Sequence, residues 1–200
     1  RYKCFGCGES GDILNFVQEI EHIDFPETLE KLAKEAGVEL KKSRGNTIYK
    51  RLEEINKQAA IYFFNKLKDN PKALQYIHNR GIKDQSIQTF GIGYAPGSYG
   101  LLESIQRSSK YSKQELLLSG LLVEKKGKLR SKFFRRIMFP IRSTSGRVIA
   151  FTGRIMPNNK YGPKYMNSPE TPIYHKKENL YGQYEARQEI RKEDLVLICE

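Results

Sequence analysis

The charge of this chain reverses at one place, and that reversal limits how it can fold. Residues 1–40 carry 4 Lys/Arg against 9 Asp/Glu, and residues 41–200 carry 31 against 14. A net of −5 thus gives way to a net of +17 across Lys41-Lys42-Ser43-Arg44-Gly45-Asn46, a polar stretch with the composition of a linker. One domain with a shared core would not sort its charge in this way. The sequence therefore predicts a small acidic unit, 1–40, a linker, 41–46, and a basic unit from residue 47. A large positive excess on a folded unit favours a polyanionic partner, nucleic acid ahead of a membrane surface or a merely solubilising coat. No apolar run reaches the roughly 20 residues of a membrane span. The three cysteines are too few for a secreted disulfide framework, so a reducing cytoplasm is expected.

Within the acidic unit, Cys4-Phe5-Gly6-Cys7-Gly8 has the form of a zinc knuckle, since small residues let backbone N–H groups turn toward the sulfurs. Tetrahedral zinc takes four ligands, and Cys4 and Cys7 supply two. The missing pair is expected upstream of Arg1, because His22 belongs to or follows a predicted helix. A redox dithiol is the competing reading, but it requires a βαβ context that does not follow. Apolar spacing predicts helices over Asp12–Ile20 and from Pro26 to Ala36, the second closed by Gly37.

The basic unit opens with a long helix, Thr47–Lys68, and a second helix from Asn70-Pro71 to Arg80-Gly81. Short helices are expected over Asp84–Phe90, Leu101–Arg107 and Ser112–Leu118. Gly91-x-Gly93 lacks the third glycine of a nucleotide loop, and Pro96 blocks an immediate helix, so it reads as a structural turn. Arg136–Ile141 and Gly146–Phe151 read as strands joined by a turn at Thr144-Ser145-Gly146. Residues 154–181 read as irregular. Their mixture of Lys, Arg, Tyr and Asn suits phosphates and stacked bases as well as it suits a solvated loop. A polar helical stretch, Gln183–Asp194, then precedes Leu195-Val196-Leu197-Ile198-Cys199, expected as a buried strand ending on Glu200. The end of an α/β strand is where open sheets place their chemistry. No Ser/His/Asp or Cys/His nucleophile arrangement is discernible. With no initiator Met and a half metal site at one end, the chain reads as an interior slice of a larger protein.

Several segments together resemble the bacterial replicative DNA primases of the DnaG type. The resemblance rests on Tyr2–Gly8 with Gly11-Asp12, Asn79-Arg80-Gly81-Ile82, Gly91–Pro96, Arg136–Ile141, Gly146–Arg154, and Lys164-Tyr165-Met166-Asn167-Ser168-Pro169-Glu170-Thr171. It implies an α+β chain: the second half of a zinc ribbon with two helices (1–40), the N-terminal subdomain of an RNA polymerase core (47–194), and the first strand of a TOPRIM α/β subdomain (195–200). It also implies template-directed synthesis of short RNA primers on single-stranded DNA. Arg80, Arg154, Lys164 and Lys176 become groove residues for template, primer or nucleotide, with Lys164, Tyr165 and Asn167 as contacts to nucleotide phosphates and base. Glu200 becomes the first TOPRIM acid. The implied cofactors are structural Zn²⁺ at Cys4 and Cys7 and catalytic Mg²⁺ or Mn²⁺. The implied partners are single-stranded DNA, RNA primer, nucleoside triphosphates and a replicative helicase reached through regions outside this chain, in the bacterial cytoplasm at the nucleoid and with no membrane. Because most catalytic acids of that family lie beyond Glu200, this chain alone is expected to make no primers. Two other readings stand beside it: a non-catalytic single-strand-binding module with a zinc accessory domain, and a different TOPRIM enzyme such as a topoisomerase or nuclease.

Overall fold

Leu52, Ile55, Ala59, Phe63 and Leu67 recur at three- and four-residue intervals, and all five are buried along one side of a 25-residue helix, α3 (Arg44–Lys68). In this computed structural model, residues 1–21, 25–38, 44–108, 111–157 and 162–198 are described. The helix starts at Arg44, three residues inside the stretch read as linker; Lys41, Lys42 and Ser43 lie outside the described residues. Nothing in Arg44-Gly45-Asn46 blocks a helix strongly enough to outweigh propagation from the long amphipathic run behind it.

Before α3 come a two-stranded antiparallel ribbon, β1 (Tyr2–Lys3) and β2 (Ser10–Gly11), and the helices α1 (Ile13–Glu21) and α2 (Phe25–Glu35). Asp12 and Asn15 cap α1 reciprocally, each side chain accepting from the other's backbone N–H at 2.9 and 3.1 Å. Tyr2 packs edge-on against Phe16, with ring centres 5.2 Å apart. No residue of α1 is buried.

The basic unit is built on a four-stranded antiparallel sheet in the order β3 (Gly93–Ala95), β6 (Arg136–Arg142), β7 (Val148–Ile155), β8 (Tyr165–Asn167). Register assigns its two faces. Gly93, Met138, Gly153 and Met166 are successive cross-strand partners on one face; Tyr94, Ile137, Arg154 and Tyr165 are successive partners on the other. The first face meets α3, α6 (Gly100–Ser108) and α7 (Lys113–Leu118) in the main core, where Phe63 meets Phe151 edge to face at 5.4 Å. On the second face, α4 (Pro71–His78) and α5 (Asp84–Phe90) bury Ala73, Ile77 and Ile87 against Tyr94 and Ile137. Asn70 caps α4 by accepting from the Ala73 N–H at 3.0 Å, with Pro71 in the first turn as read from the sequence. Gly91 closes α5 at φ 62°, so Gly91-x-Gly93 is structural.

Three pieces of this architecture differ from the sequence reading. A hairpin, β4 (Leu122–Lys125) and β5 (Lys128–Ser131), turns at Lys126-Gly127 with φ of 51° and 71°. The supposedly irregular loop supplies β8, three residues that complete the sheet edge. The helix α8 (Gln183–Glu193) forms as expected, but Leu195–Ile198 are exposed and unpaired rather than a buried strand; Leu197 is 84% exposed. A strand is stabilised by neighbours, and no strand among the described residues lies beside this segment. Cys199 and Glu200 fall outside the described residues.

One ion pair ties α7 to α3. Glu115 accepts from Arg51, at 3.0 Å for the Nη2 contact, and closes a capping box with Ser112, whose N–H donates to it at 2.7 Å. The Arg51 guanidinium, helped by Ser112 and opposed by burial, lowers the Glu115 carboxyl from 4.5 to about 2. A depressed carboxylate stabilises the fold above its unfolded pKa, and that contribution is lost as pH falls from about 4.5 toward 2. Glu115→Gln is therefore expected to cost about 2 kcal/mol at pH 7 and almost nothing at pH 2, after allowance for screening at the part-exposed Arg51. Urea unfolding of both chains across that range measures the difference; a gap that does not change with pH would remove the ion pair as its cause.

Candidate nucleic-acid interface

Beyond Ile137 the second sheet face is no longer covered by α4, and two cross-strand positions there hold Arg154 and Tyr165. The next row places Thr152 opposite Asn167, so Tyr165 and Asn167 project from the same face of the edge strand. Tyr165 and Asn167 are both exposed. The guanidinium of Arg154 donates through Nη1 to the Tyr165 hydroxyl and lies 5.1 Å from its ring centre; the Lys164 ammonium lies 5.9 Å from the same ring.

Tyr76, on the last turn of α4, joins this edge to the end of the helix. Its hydroxyl accepts from Arg154 Nε at 2.8 Å and from Arg80 Nε at 3.0 Å. Arg80 also lies over the Tyr76 ring at 5.4 Å. Burial alone would raise the Tyr76 pKa, but the two arginines prevail and hold it below the ordinary tyrosine value. Arg80, Arg154, Lys164 and Tyr165, drawn from segments up to 85 residues apart, thus form one cationic, aromatic-bearing surface. Asn167 shares its face. Lys176 opens a single 3₁₀ turn (Lys176–Glu178), its backbone N–H donating to Glu170 Oε1 at 3.0 Å.

Sequence reasoning missed Tyr76. The available signal was its spacing from Arg80, since residues four apart face each other on a helix. It also missed two clefts, one beside the cluster and one on the other face of the sheet, where Met166 points. One, of about 740 Å³, has Tyr76 in its wall together with Lys72, Gln75, Asn79 and Arg135. The other, of about 440 Å³, has Lys125, Arg130, Lys132 and Arg136 in its lining and no acidic residue. Arg136 is 2% exposed and donates to the Gly153 carbonyl at 3.1 Å; burial pushes its pKa and that of Lys132 down, away from the charged form.

At the other end of the chain, Cys4 and Cys7 are both exposed free thiols. The turn between them is tight: the Gly8 N–H donates to the Cys4 carbonyl at 3.0 Å, with Gly8 at φ 84°. Hydrogen bonds from the Cys7 backbone, the Cys7 thiol and the Gly6 backbone lower the Cys4 pKa, favouring the thiolate that zinc needs. The pair fits half of a tetrahedral site. Among the described residues no third His, Cys, Asp or Glu joins it, and His22 lies outside them.

Comparison with known proteins decides the family. Residues 62–187 match the family described as the DNA primase catalytic core, N-terminal domain, and residues 1–48 match the CHC2 zinc finger. The chain belongs to the DnaG-type DNA primase family. Among curated primases, that of Deinococcus radiodurans is 41% identical over 93% of this chain and 32% of its own length. That of Pseudomonas aeruginosa is 38% identical over 100% of this chain and 32% of its own. A crystal structure of the Aquifex aeolicus primase, comprising zinc-binding and RNA polymerase domains, superposes with a TM-score of 0.65 at 36% identity, over 96% of this chain and 47% of that one. A DnaG primase catalytic domain bound to single-stranded DNA gives 0.64 at 36% identity, over 72% and 45%. The chain therefore spans about a third of the length of these curated primases. The CHC2 match makes the Cys4–Cys7 turn part of a primase zinc-binding segment.

Proposed function

We propose that the protein bearing this chain is a DNA primase that lays short RNA primers on single-stranded DNA, and that this chain is its template-handling part. The observation that carries the reading is the uncovered sheet face on which Arg80, Arg154, Lys164 and Tyr165 meet. Guanidinium and ammonium groups neutralise backbone phosphates, and an exposed tyrosine ring offers a stacking platform that tolerates any base. Asn167 on the same face supplies an amide for a base edge, and Lys176 an outer phosphate contact. In this division of labour residues 1–40 help engage template, with Cys4 and Cys7 as zinc ligands; the boundary falls within 41–46, whose last three residues already belong to α3, 47–194 form the N-terminal part of the polymerase core and 195–200 the start of the TOPRIM subdomain. Glu200 is assigned as the first of the acids that hold Mg²⁺, an ion that would neutralise the triphosphate and favour ionisation of the primer 3′-hydroxyl. The chain's own contribution is to fix the template backbone and the incoming phosphates before that step. Nucleoside triphosphates and the growing RNA are its further partners, a replicative helicase its neighbour, and the bacterial cytoplasm its place.

In a primase carrying this sequence, Arg154→Ala is expected to lower Mg²⁺-dependent incorporation of labelled ribonucleotides on a single-stranded template by about a hundredfold, the scale of losing one positioned charge donor. Full incorporation by that variant would defeat the assignment of Arg154. If the unmodified primase makes no product while this chain still binds single strands, the activity is that of a binding module and not of a polymerase.

A further inference from the structure

Tyr76 has no place in the reading above, yet its hydroxyl is where the two arginines meet. A phenol oxygen has two acceptor sites and one proton to donate. Both acceptor sites are taken, by Arg154 Nε at 2.8 Å and Arg80 Nε at 3.0 Å. A guanidinium binds phosphate best through a pair of adjacent N–H groups. Tying Nε to a fixed oxygen leaves the Nη1 and Nη2 groups of Arg80 outside the tie, and Nη2 of Arg154, whose Nη1 donates to Tyr165. Two like charges so close would otherwise repel. Here one shared acceptor offsets that repulsion, and the lowered Tyr76 pKa follows from the same pair of hydrogen bonds.

The support beneath Tyr76 is rigid. Its helix is capped by Asn70 at one end, and its neighbours Ala73 and Ile77 are buried against the sheet. The hydroxyl thus takes its position from the core, while Arg80, just past the helix end, is exposed and has little packing to hold it. Without the bond, a long arginine side chain samples many rotamers and must be ordered again by each phosphate it meets.

We infer that Tyr76 is a positioning residue that sets Arg80 and Arg154 as a paired clamp for adjacent phosphates of a nucleic-acid strand. The inference rests on the groove proposed above. It requires that Tyr76 act through the arginines and not by touching the strand itself.

Tyr76→Phe keeps the ring, its packing and the ring contact of Arg80, and deletes only the shared acceptor. Binding of a fluorescent oligo-dT to this chain is expected to weaken about three- to tenfold, with the thermal midpoint within about 2 °C of the unmodified chain. The deciding measurement is a double-mutant cycle. In an Arg80→Ala/Arg154→Ala background, Tyr76→Phe should have no further effect on binding, because nothing is left to position. Unchanged binding by Tyr76→Phe alone, with the arginine variant weakened, would overturn the clamp and leave the groove standing. An equal loss in both backgrounds would also overturn it, by making Tyr76 a direct contact. An arginine variant that binds as well as the unmodified chain would instead overturn the groove on which the inference rests.

Discussion

Gly93→Ala is expected to destabilise the chain by about 3 kcal/mol or more, a large share of a typical domain's stability. A Cβ at Gly93 would lie 2.6 Å from the carbonyl carbon and the Cβ of Phe63 and 2.8 Å from its carbonyl oxygen. Those are atoms of the α3 backbone and of a fully buried residue, so no flexible side chain can swing aside. Relief requires the helix to lift from β3, which separates Leu52, Ile55, Ala59 and Phe63 from the sheet. The thermal midpoint should fall by roughly 10 °C. Gly97→Ala is the matched control, because a Cβ there meets nothing within 4 Å. If both variants melt like the unmodified chain, α3 and β3 do not approach as closely as described. The position also bears on function: Gly93 precedes Tyr94, the first member of the cross-strand row that ends on Arg154 and Tyr165. A helix displaced at Gly93 tilts the face from which the cationic cluster projects.

Local signals carried much of this fold. The three- and four-residue spacing of α3, the Asn70-Pro71 start of α4, the short helix α7 and the turn at Ser145-Gly146 are each decided within a few residues, and each forms as read. The misses share a cause. β8 is three residues long and half-exposed, so it has neither length nor alternation to announce it; it is a strand because β7 offers an open edge. Leu195–Ile198 have the composition of a buried strand and, among the described residues, no partner to make them one. The surface was legible in part. Arg80, Arg154, Lys164, Tyr165 and Asn167 stand out as residue types, and the resemblance to primases joined them. That Tyr76 links two of them depends on how α4 lies across the sheet, which no short window of sequence contains.

The triple substitution Arg80→Ala/Arg154→Ala/Lys164→Ala is expected to weaken oligo-dT binding by about a hundredfold at roughly 50 mM salt, if each cation contributes on the order of 1 kcal/mol through its phosphate. Net charge alone could produce part of that weakening, since this chain carries +12 and any cation adds to its field. Salt dependence separates the two causes. A cation seated on a phosphate displaces counterions, so removing one such cation should shallow the slope of log K against log salt by about 0.7 on a single strand, and removing three by about 2. The charge-matched control is Lys34→Ala/Lys113→Ala/Lys192→Ala, on α2, α7 and α8. Lys113 faces Glu124 at 2.7 Å and Lys192 faces Glu193 at 3.0 Å, so two of the three already have acidic neighbours. This control lowers the net charge equally but takes nothing from the cluster, and its slope should stay close to that of the unmodified chain. Equal slopes in the two triples would mean that the strand is held by charge spread over the whole surface, and the cluster on the open sheet face would lose its claim to the template.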